Sequence, residues 1–318
     1  MLMEQKSFKI RHISTVAQEA INYIESRKNH DIVSLKTRWN KFNSACMGGI
    51  EPNCIYTIAG ISGSGKSSMA NLIQTDIIDK NPNQDIIVLN FSLEMVGFRQ
   101  IGRTLSNKLR KTTSALYSSQ EDLDDDTFKK VIYVANSLKE YPIYFVDSPD
   151  TPTEVERTIM NFYEQKVKGT NKYFVILYDH ALLTKQVGSV IETMADLEKI
   201  FIKIKKLPLT SIIQLAQMNR DIERPERINN AAQHYPMRSD ISSADAMFHA
   251  SDYVMVIHRP ELINIFEYGP NRLPTNNKVY IHILKNRDAG KPCILEFEND
   301  LMYNNLIETT AKATNSNN

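Results

Sequence analysis

The 318-residue chain carries 38 Lys and Arg against 37 Asp and Glu, and 42% of its residues are hydrophobic. This length and composition fit one large α/β domain with appendages, and the near-zero net charge excludes a global basic field for nucleic acid. Three cysteines without metal-ligand spacing, and no apolar run of about 18 residues, predict a cytoplasmic protein without a membrane span.

The first predicted element is a short amphipathic helix. Apolar residues recur at i, i+3, i+4 and i+7 spacing between Ile13 and Ile24, and a polar stretch follows at 25–31. We assign residues 1–33 to an N-terminal arm. Its helix either packs on its own domain or docks on a neighbouring subunit, and periodicity does not choose between these.

A phosphate-binding loop follows an apolar strand predicted at 55–59. The pattern G-x-x-x-x-G-K-S opens a helix and supplies these candidate ligands: Gly60, Ser62, Gly63, Ser64, Gly65, Lys66, Ser67 and Ser68. Such glycines let backbone N–H groups surround phosphates, and the helix N-terminus adds partial positive charge. We expect Lys66 to reach the β- and γ-phosphates and Ser67 to hold Mg²⁺. An ordinary Gly/Ser turn is the alternative, but strand, spacing and Lys-Ser pair together predict a nucleoside triphosphate site.

Carboxylates follow two further buried strands. Glu94 comes just after the run 85–92, where it could activate a water for attack on the γ-phosphate or simply begin a helix. Asp179 ends the nearly continuous apolar run 173–178, which is typical of a parallel strand buried on both faces. This is the usual position of a second Mg²⁺ anchor, so we predict a metal role for Asp179.

The remaining elements alternate between strand and helix. Residues 98–139 are predicted helical, with an acidic stretch at 121–126 interpreted as a solvated face or helix cap. A strand at 142–147, a crossover helix at 153–168 and a helix at 191–206 follow. Further strands are predicted at 210–217, 253–257, 278–284 and 293–297, the last two forming a hairpin. This order predicts a mostly parallel sheet with helices on both faces.

Polar and basic residues mark the loops after these strands. Gln217 ends the strand 210–217, where a γ-phosphate sensor could lie. Lys285 and Arg287 lie on the hairpin tip, and solvation is their simplest interpretation. The loop 182–190 and the long polar stretch 221–243 carry most of the other cations that we consider below, and a stretch this long is usually functional or mobile.

Several of these blocks, in this order, resemble the ATPase domain of replicative hexameric helicases of the DnaB type. They are the phosphate loop, Phe91-Ser92-Leu93-Glu94-Met95, the strand and turn before the helix at 153, Asp179, Gln217-Met218-Asn219-Arg220 and Lys285-Asn286-Arg287. The resemblance covers about residues 34–306. It implies a RecA-like P-loop NTPase core over 34–308 with a C-terminal β-hairpin, an N-terminal linker helix docking on a neighbour, and a disordered tail at 309–318.

The resemblance also implies residue roles. Lys66 and Ser67 would bind phosphates and Mg²⁺ with support from Asp179, Glu94 would polarise the attacking water, and Gln217 would sense the γ-phosphate. Lys285 and Arg287 would reach the nucleotide of the adjacent subunit, which requires a homo-oligomer, expected to be a hexamer. Two loops would line a channel and grip the backbone of single-stranded DNA through Lys185, Arg220, Arg224, Arg227 and Arg238.

Three departures from the family pattern stand out. His180 replaces a more usual aromatic residue, and Ser242-Ser243-Ala244-Asp245 replaces a polar R-E-S-G-like stretch. The separate N-terminal domain that bacterial members use for primase contact is missing, as in a minimal version that a virus could encode and use in the host cytoplasm. We expect an ATP- and Mg²⁺-dependent DNA helicase that forms a ring, with a primase or helicase loader as partner. The alternatives are a RecA-like filament or recombinase, and an ATP-gated replication scaffold that does not unwind.

Overall fold

The computed structural model describes residues 10–120, 122–242, 244–288, 290–309 and 314–315. The chain divides after Ser34 into a small N-terminal unit and a large second unit. In the N-terminal unit, helix α1 spans Ile13–Lys28, so it continues one turn beyond the predicted end at Ile24. Its apolar side chains, including Ile13, Ile21 and Ile24, are exposed.

The second unit contains every strand predicted from the sequence. Its helices are α2 (Asn40–Ala45), α3 (Lys66–Asp79), α4 (Gly97–Leu109), α5 (Thr113–Tyr117), α6 (Asp125–Leu138), α7 (Pro152–Lys166), α8 (Val190–Ile204), α9 (Pro225–Ile228) and α10 (Ala244–Ala250). Its strands are β1 (Ile55–Gly60), β2 (Ile86–Ser92), β3 (Ile143–Val146), β4 (Tyr173–Asp179), β5 (Thr210–Gln217), β6 (Tyr253–His258), β7 (Glu267–Tyr268), β8 (Leu273–Pro274), β9 (Lys278–Asn286), β10 (Cys293–Asp300), β11 (Asn305–Glu308) and β12 (Thr314–Asn315).

One large sheet carries the core, in the order β11-β10-β9-β6-β1-β5-β4-β2-β3 with β12 beside β10. The strands from β6 to β3 run parallel, whereas β9, β10 and β11 are antiparallel. Strand β1 lies between β5 and β6, so the loop after Gly60 leaves the middle of the parallel sheet at its carboxyl edge. That edge is where open α/β sheets bind their ligands.

The region predicted as helical at 98–139 is divided into three helices. Helix α4 ends at Arg110, whose φ of 54° is left-handed, and the Thr112 side chain caps α5 by accepting from Ala115 N. Asp124 caps α6 by accepting from Thr127 N at 2.7 Å. One carboxylate of the acidic stretch is therefore a helix cap, as one of the two interpretations held, while Glu121 lies outside the described residues.

The C-terminal tail predicted at 309–318 lies largely outside the described residues, apart from Thr309 and strand β12, which pairs with Cys293 and Ile294. Along the described ranges, no helix combines the length and apolarity that crossing a membrane requires.

Candidate functional site

The phosphate loop is shaped by close contacts at its glycines. A Cβ on Gly60 would lie 2.4 Å from Ser64 Oγ and 2.7 Å from the Ile257 carbonyl oxygen, so only glycine fits at this strand end. Gly65 has a φ of 105° and forms the N-cap of α3, a conformation that other residues rarely adopt. The loop therefore turns its backbone toward the start of α3, as the motif predicted.

Lys66 lies buried in this loop and contacts the neighbouring strand end. Its Nζ donates to the carbonyl oxygens of Gly60 and Ile61, both at 2.9 Å, and to Gln217 Oε1 at 3.2 Å. Gln217 comes this close because Gly60 and Gln217 are register partners on β1 and β5. Burial lowers the pKa of Lys66, whereas the carboxylates of Glu94 and Asp179 oppose that shift.

The two predicted carboxylates meet beside Lys66. Strands β2 and β4 pair in register up to Ser92 and Asp179, and the backbone N–H of Leu93 donates to the Asp179 carbonyl oxygen at 2.8 Å. The Glu94 N–H donates to the same oxygen at 3.3 Å. Glu94 thus begins a short irregular segment directly over the end of β4.

Asp179 and Ser67 have the donor chemistry of a Mg²⁺ site. The Ser67 hydroxyl hydrogen-bonds the Asp179 carboxylate, but burial, with a further contribution from Glu94, still raises the pKa of Asp179 to about 6. Asp179 Oδ1 is buried and accepts no hydrogen bond from the part of the chain that the structure describes. In those same residues no group of three or more His, Cys, Asp or Glu could hold a metal. Because Mg²⁺ is usually held by one or two protein ligands together with substrate phosphates, the pair fits this ion.

These residues line one cavity, which we call the phosphate-loop cavity. Its volume is about 280 Å³, and its lining contains Ser62, Gly63, Gly65, Lys66, Ser67, Ser68, Glu94, Gln217, Arg103, Arg259 and Leu301. Sequence reasoning missed the last three. Arg103 lies on α4, Arg259 follows β6 and donates to the Gly63 carbonyl oxygen at 3.1 Å, and Leu301 follows β10. No local motif marks these positions, because only the sheet order brings them to the loop.

The hairpin cations lie apart from this cavity. Lys285 Nζ donates to the carbonyl oxygen of Phe248 at 2.5 Å, and Arg287 Nη1 lies 2.8 Å from Asp252 Oδ1. The Arg287 side chain is still 46% exposed. Neither cation belongs to the lining of the chain's own phosphate-loop cavity, as far as the described residues show.

Four of the five loop cations predicted to contact DNA reach solvent. Lys185, Arg220 and Arg224 are exposed, and Arg238 is partly exposed and pairs with Asp245 at 2.5 Å. The long stretch that carries the arginines is organised into α9 and several short 3₁₀ turns rather than left irregular.

Arg227 differs from the other loop cations. Its side chain is 10% exposed and its Nη1 lies 2.5 Å from Oδ1 of Asp240, which is 1% exposed. Its remaining donors reach the carbonyl oxygens of Gln233 at 3.1 Å and Tyr235 at 3.0 Å. This geometry argues against the predicted phosphate contact, because the guanidinium is used to hold the loop together.

Comparisons with known proteins agree with these observations. Residues 34–303 match the family model of the DnaB-like helicase C terminal domain. The replicative DNA helicase DnaB of Pasteurella multocida (strain Pm70) is 23% identical over 264 residues, which are 80% of this chain and 53% of that protein. The chain thus spans about half the length of this curated relative.

Solved structures show the same fold. One of them, an isolated ATPase domain, superposes with a TM-score of 0.77 at 17% identity, covering 92% of this chain and 98% of that one. A DnaB-like replicative helicase, in a structure that also concerns its interactions with primase, gives 0.74 at 16% identity and covers 96% and 68%. The predicted RecA-like α/β fold with its mostly parallel sheet is confirmed.

Proposed function

The chain belongs to the DnaB-like helicase C-terminal domain family, as its motifs predicted, and we propose that it is the ATP-driven motor of a replicative DNA helicase. The observation that carries this proposal is the convergence of Lys66, Glu94 and Gln217 on one cavity at the carboxyl edge of the sheet. Phosphoryl transfer is catalysed largely by positioning and by charge stabilisation, and this set of groups supplies both.

Each residue has a defined task in hydrolysis. The N–H groups of the loop and Lys66 would bind the phosphates, and Glu94 would accept a proton from the attacking water. Gln217, which contacts Lys66, would register whether a γ-phosphate is present. Ser67 and Asp179 would hold Mg²⁺, which when bound neutralises charge that develops on the phosphate oxygens.

Lys285 and Arg287 would complete the site of an adjacent subunit. They lie outside the chain's own cavity, and Arg287 keeps almost half of its side chain exposed. A cation that acts in trans requires a homo-oligomer, for which we propose the hexamer expected of this family. The exposed apolar residues of α1, such as Ile21, would dock on a neighbour in that ring.

Single-stranded DNA would pass along the exposed loop cations. We propose Lys185, Arg220, Arg224 and Arg238 as phosphate contacts and leave out Arg227 because its guanidinium is buried and paired. A primase or helicase loader is the protein partner we propose, by analogy with the DnaB-like helicase studied with primase. The site of action would be the cytoplasm. No observation on the structure favours the filament or scaffold alternatives over the motor.

Mixed oligomers test the proposed site and its sharing between subunits. Lys66→Ala and Arg287→Ala should each lower ATP turnover about a thousandfold, and only Lys66→Ala should also weaken nucleotide binding. Mixing the two variants should restore part of the turnover, because some interfaces then join an intact Lys66 to an intact Arg287. If no mixing ratio restores activity, the trans role of Arg287 is wrong.

A further inference from the structure

A chain of buried polar side chains joins the helix after the phosphate loop to the segment that carries Glu94. Its members lie on α3, β2 and α4 and are each at most 5% exposed: Asn71, Gln74, Asn90, Ser92, Gln100 and Thr104. Within the described residues, the lining of the phosphate-loop cavity includes none of them. Buried amides and hydroxyls are costly unless they are hydrogen-bonded, so a set of six beside an active site requires a physical explanation.

The last acceptor fixes the direction of one arm of this chain. Ser92 Oγ donates to the carbonyl oxygen of Met95, which can only accept. Since the hydroxyl proton is used there, Ser92 accepts from Gln100 Nε2 at 2.7 Å. The Gln100 amide oxygen in turn accepts from Asn90 Nδ2 at 2.8 Å. Donors and acceptors therefore alternate without conflict from Asn90 to the Met95 carbonyl group.

The second arm starts at the same amide and ends on the helix of the phosphate loop. Asn90 Nδ2 also donates to Gln74 Oε1 at 2.7 Å, and Gln74 Nε2 donates to Asn71 Oδ1 at 3.0 Å. Asn71 Nδ2 donates to Thr104 Oγ1 at 3.0 Å. Because Gln74 and Asn71 lie on α3, the Asn90 amide connects the phosphate-loop helix with the polypeptide just beyond Glu94.

Glu94 is thereby held from both sides. On its N-terminal side, the Leu93 N–H donates to the Asp179 carbonyl oxygen at 2.8 Å. On its C-terminal side, the Met95 carbonyl group receives the Ser92 hydroxyl. The Glu94 side chain itself is exposed, so these backbone anchors rather than side-chain packing define where its carboxylate can lie.

We propose that Asn90, Gln100 and Ser92 are positioning residues for ATP hydrolysis, which fix the Glu94 segment relative to the phosphate loop. This inference rests on the proposed function, in which Glu94 activates the attacking water. A misplacement of about 1 Å at a catalytic group can lower the rate about a hundredfold. Loss of the Ser92 link therefore lowers turnover, whereas the phosphate loop, and with it nucleotide affinity, is left in place.

Two variants and a matched control separate positioning from general loss of packing. Ser92→Ala removes the link to Met95, and Gln100→Leu removes the link to Ser92. Thr75→Val is the control, since Thr75 is also buried on α3 but donates only to the carbonyl oxygens of its own helix, at 3.0 and 3.1 Å. The full-length protein is used to measure steady-state ATP hydrolysis, ADP binding at equilibrium and the melting temperature.

Ser92→Ala and Gln100→Leu should lower kcat about tenfold or more, while the Kd for ADP stays within about threefold of wild type. Thr75→Val should keep kcat within about threefold. In a Glu94→Gln background, Ser92→Ala should cause no further loss, because the link acts through Glu94.

Wild-type turnover in both Ser92→Ala and Gln100→Leu would overturn the inference and leave the proposed function intact. An equal loss from Ser92→Ala in the wild-type and Glu94→Gln backgrounds would also overturn it, since the hydroxyl would then act independently of Glu94. Absence of ATP hydrolysis by the wild-type protein would refute the proposed function itself.

Discussion

Glu198 is a buried acid whose replacement should stabilise the protein. It lies on α8 with 3% of its surface exposed, and neither carboxyl oxygen has a well-formed hydrogen bond within the described residues. Burial raises its pKa from 4.5 to about 7, a shift that its neighbour Gln214 only partly offsets. The Gln214 amide oxygen is also buried without a donor, and a neutral carboxyl group could supply one, whereas a carboxylate cannot.

The raised pKa sets the size and the pH window of the effect. Because the folded protein binds this proton more tightly than the unfolded chain, stability is lost as pH rises from 4.5 through 7. A shift of about 2.5 units corresponds to about 3 kcal/mol. Glu198→Gln does not titrate, so it should match wild type near pH 4.5 and exceed its free energy of unfolding by about 3 kcal/mol at pH 8.

Urea denaturation between pH 4.5 and 8 measures this difference. Asp196→Asn is the matched control, since Asp196 lies on the same helix but is exposed and pairs only with Lys199 at the surface. It should change the free energy of unfolding by no more than about 0.5 kcal/mol without a trend in pH. A difference between Glu198→Gln and wild type that is constant across this pH range would refute the reasoning.

Three further predictions concern the phosphate loop and the long loop. Gly60→Ala should destabilise the protein by about 1–3 kcal/mol and weaken nucleotide binding, because its Cβ would lie 2.4 Å from Ser64 Oγ; unchanged melting and affinity would contradict this. Arg227→Met should destabilise the long loop by about 3–5 kcal/mol, seen as faster hydrogen exchange at 221–242, because it leaves Asp240 buried without its partner. Arg224→Ala should cost less than about 1 kcal/mol but should lower the salt dependence of single-stranded DNA binding by about 0.7 in log–log slope. If Arg227→Met shows the DNA effect with normal exchange, the two assignments are reversed.

The fold could be predicted because its signals are local. Parallel strands buried on both faces form nearly continuous apolar runs, such as 173–178, and each predicted strand is present. The phosphate loop combines a strand, a fixed glycine spacing and a helix start within one short segment. Lys66, Glu94 and Gln217 converge on one cavity because each follows a strand of the same parallel sheet.

The rest depends on contacts between distant residues. Arg103, Arg259 and Leu301 enter the phosphate-loop cavity only through the order of the strands, which no local pattern records. Arg224 and Arg227 look alike in a polar stretch, yet one is exposed and the other buried, because Asp240 lies where it can pair with Arg227.

The most direct test of the motor function is ATP hydrolysis with and without single-stranded DNA, measured alongside unwinding of a forked duplex. Lys66→Ala serves as the blank, since its loop lacks the cation that binds the phosphates. The proposed function predicts hydrolysis that single-stranded DNA stimulates, together with strand separation that requires ATP. Hydrolysis that DNA does not change, with no strand separation under any ATP condition, would contradict it.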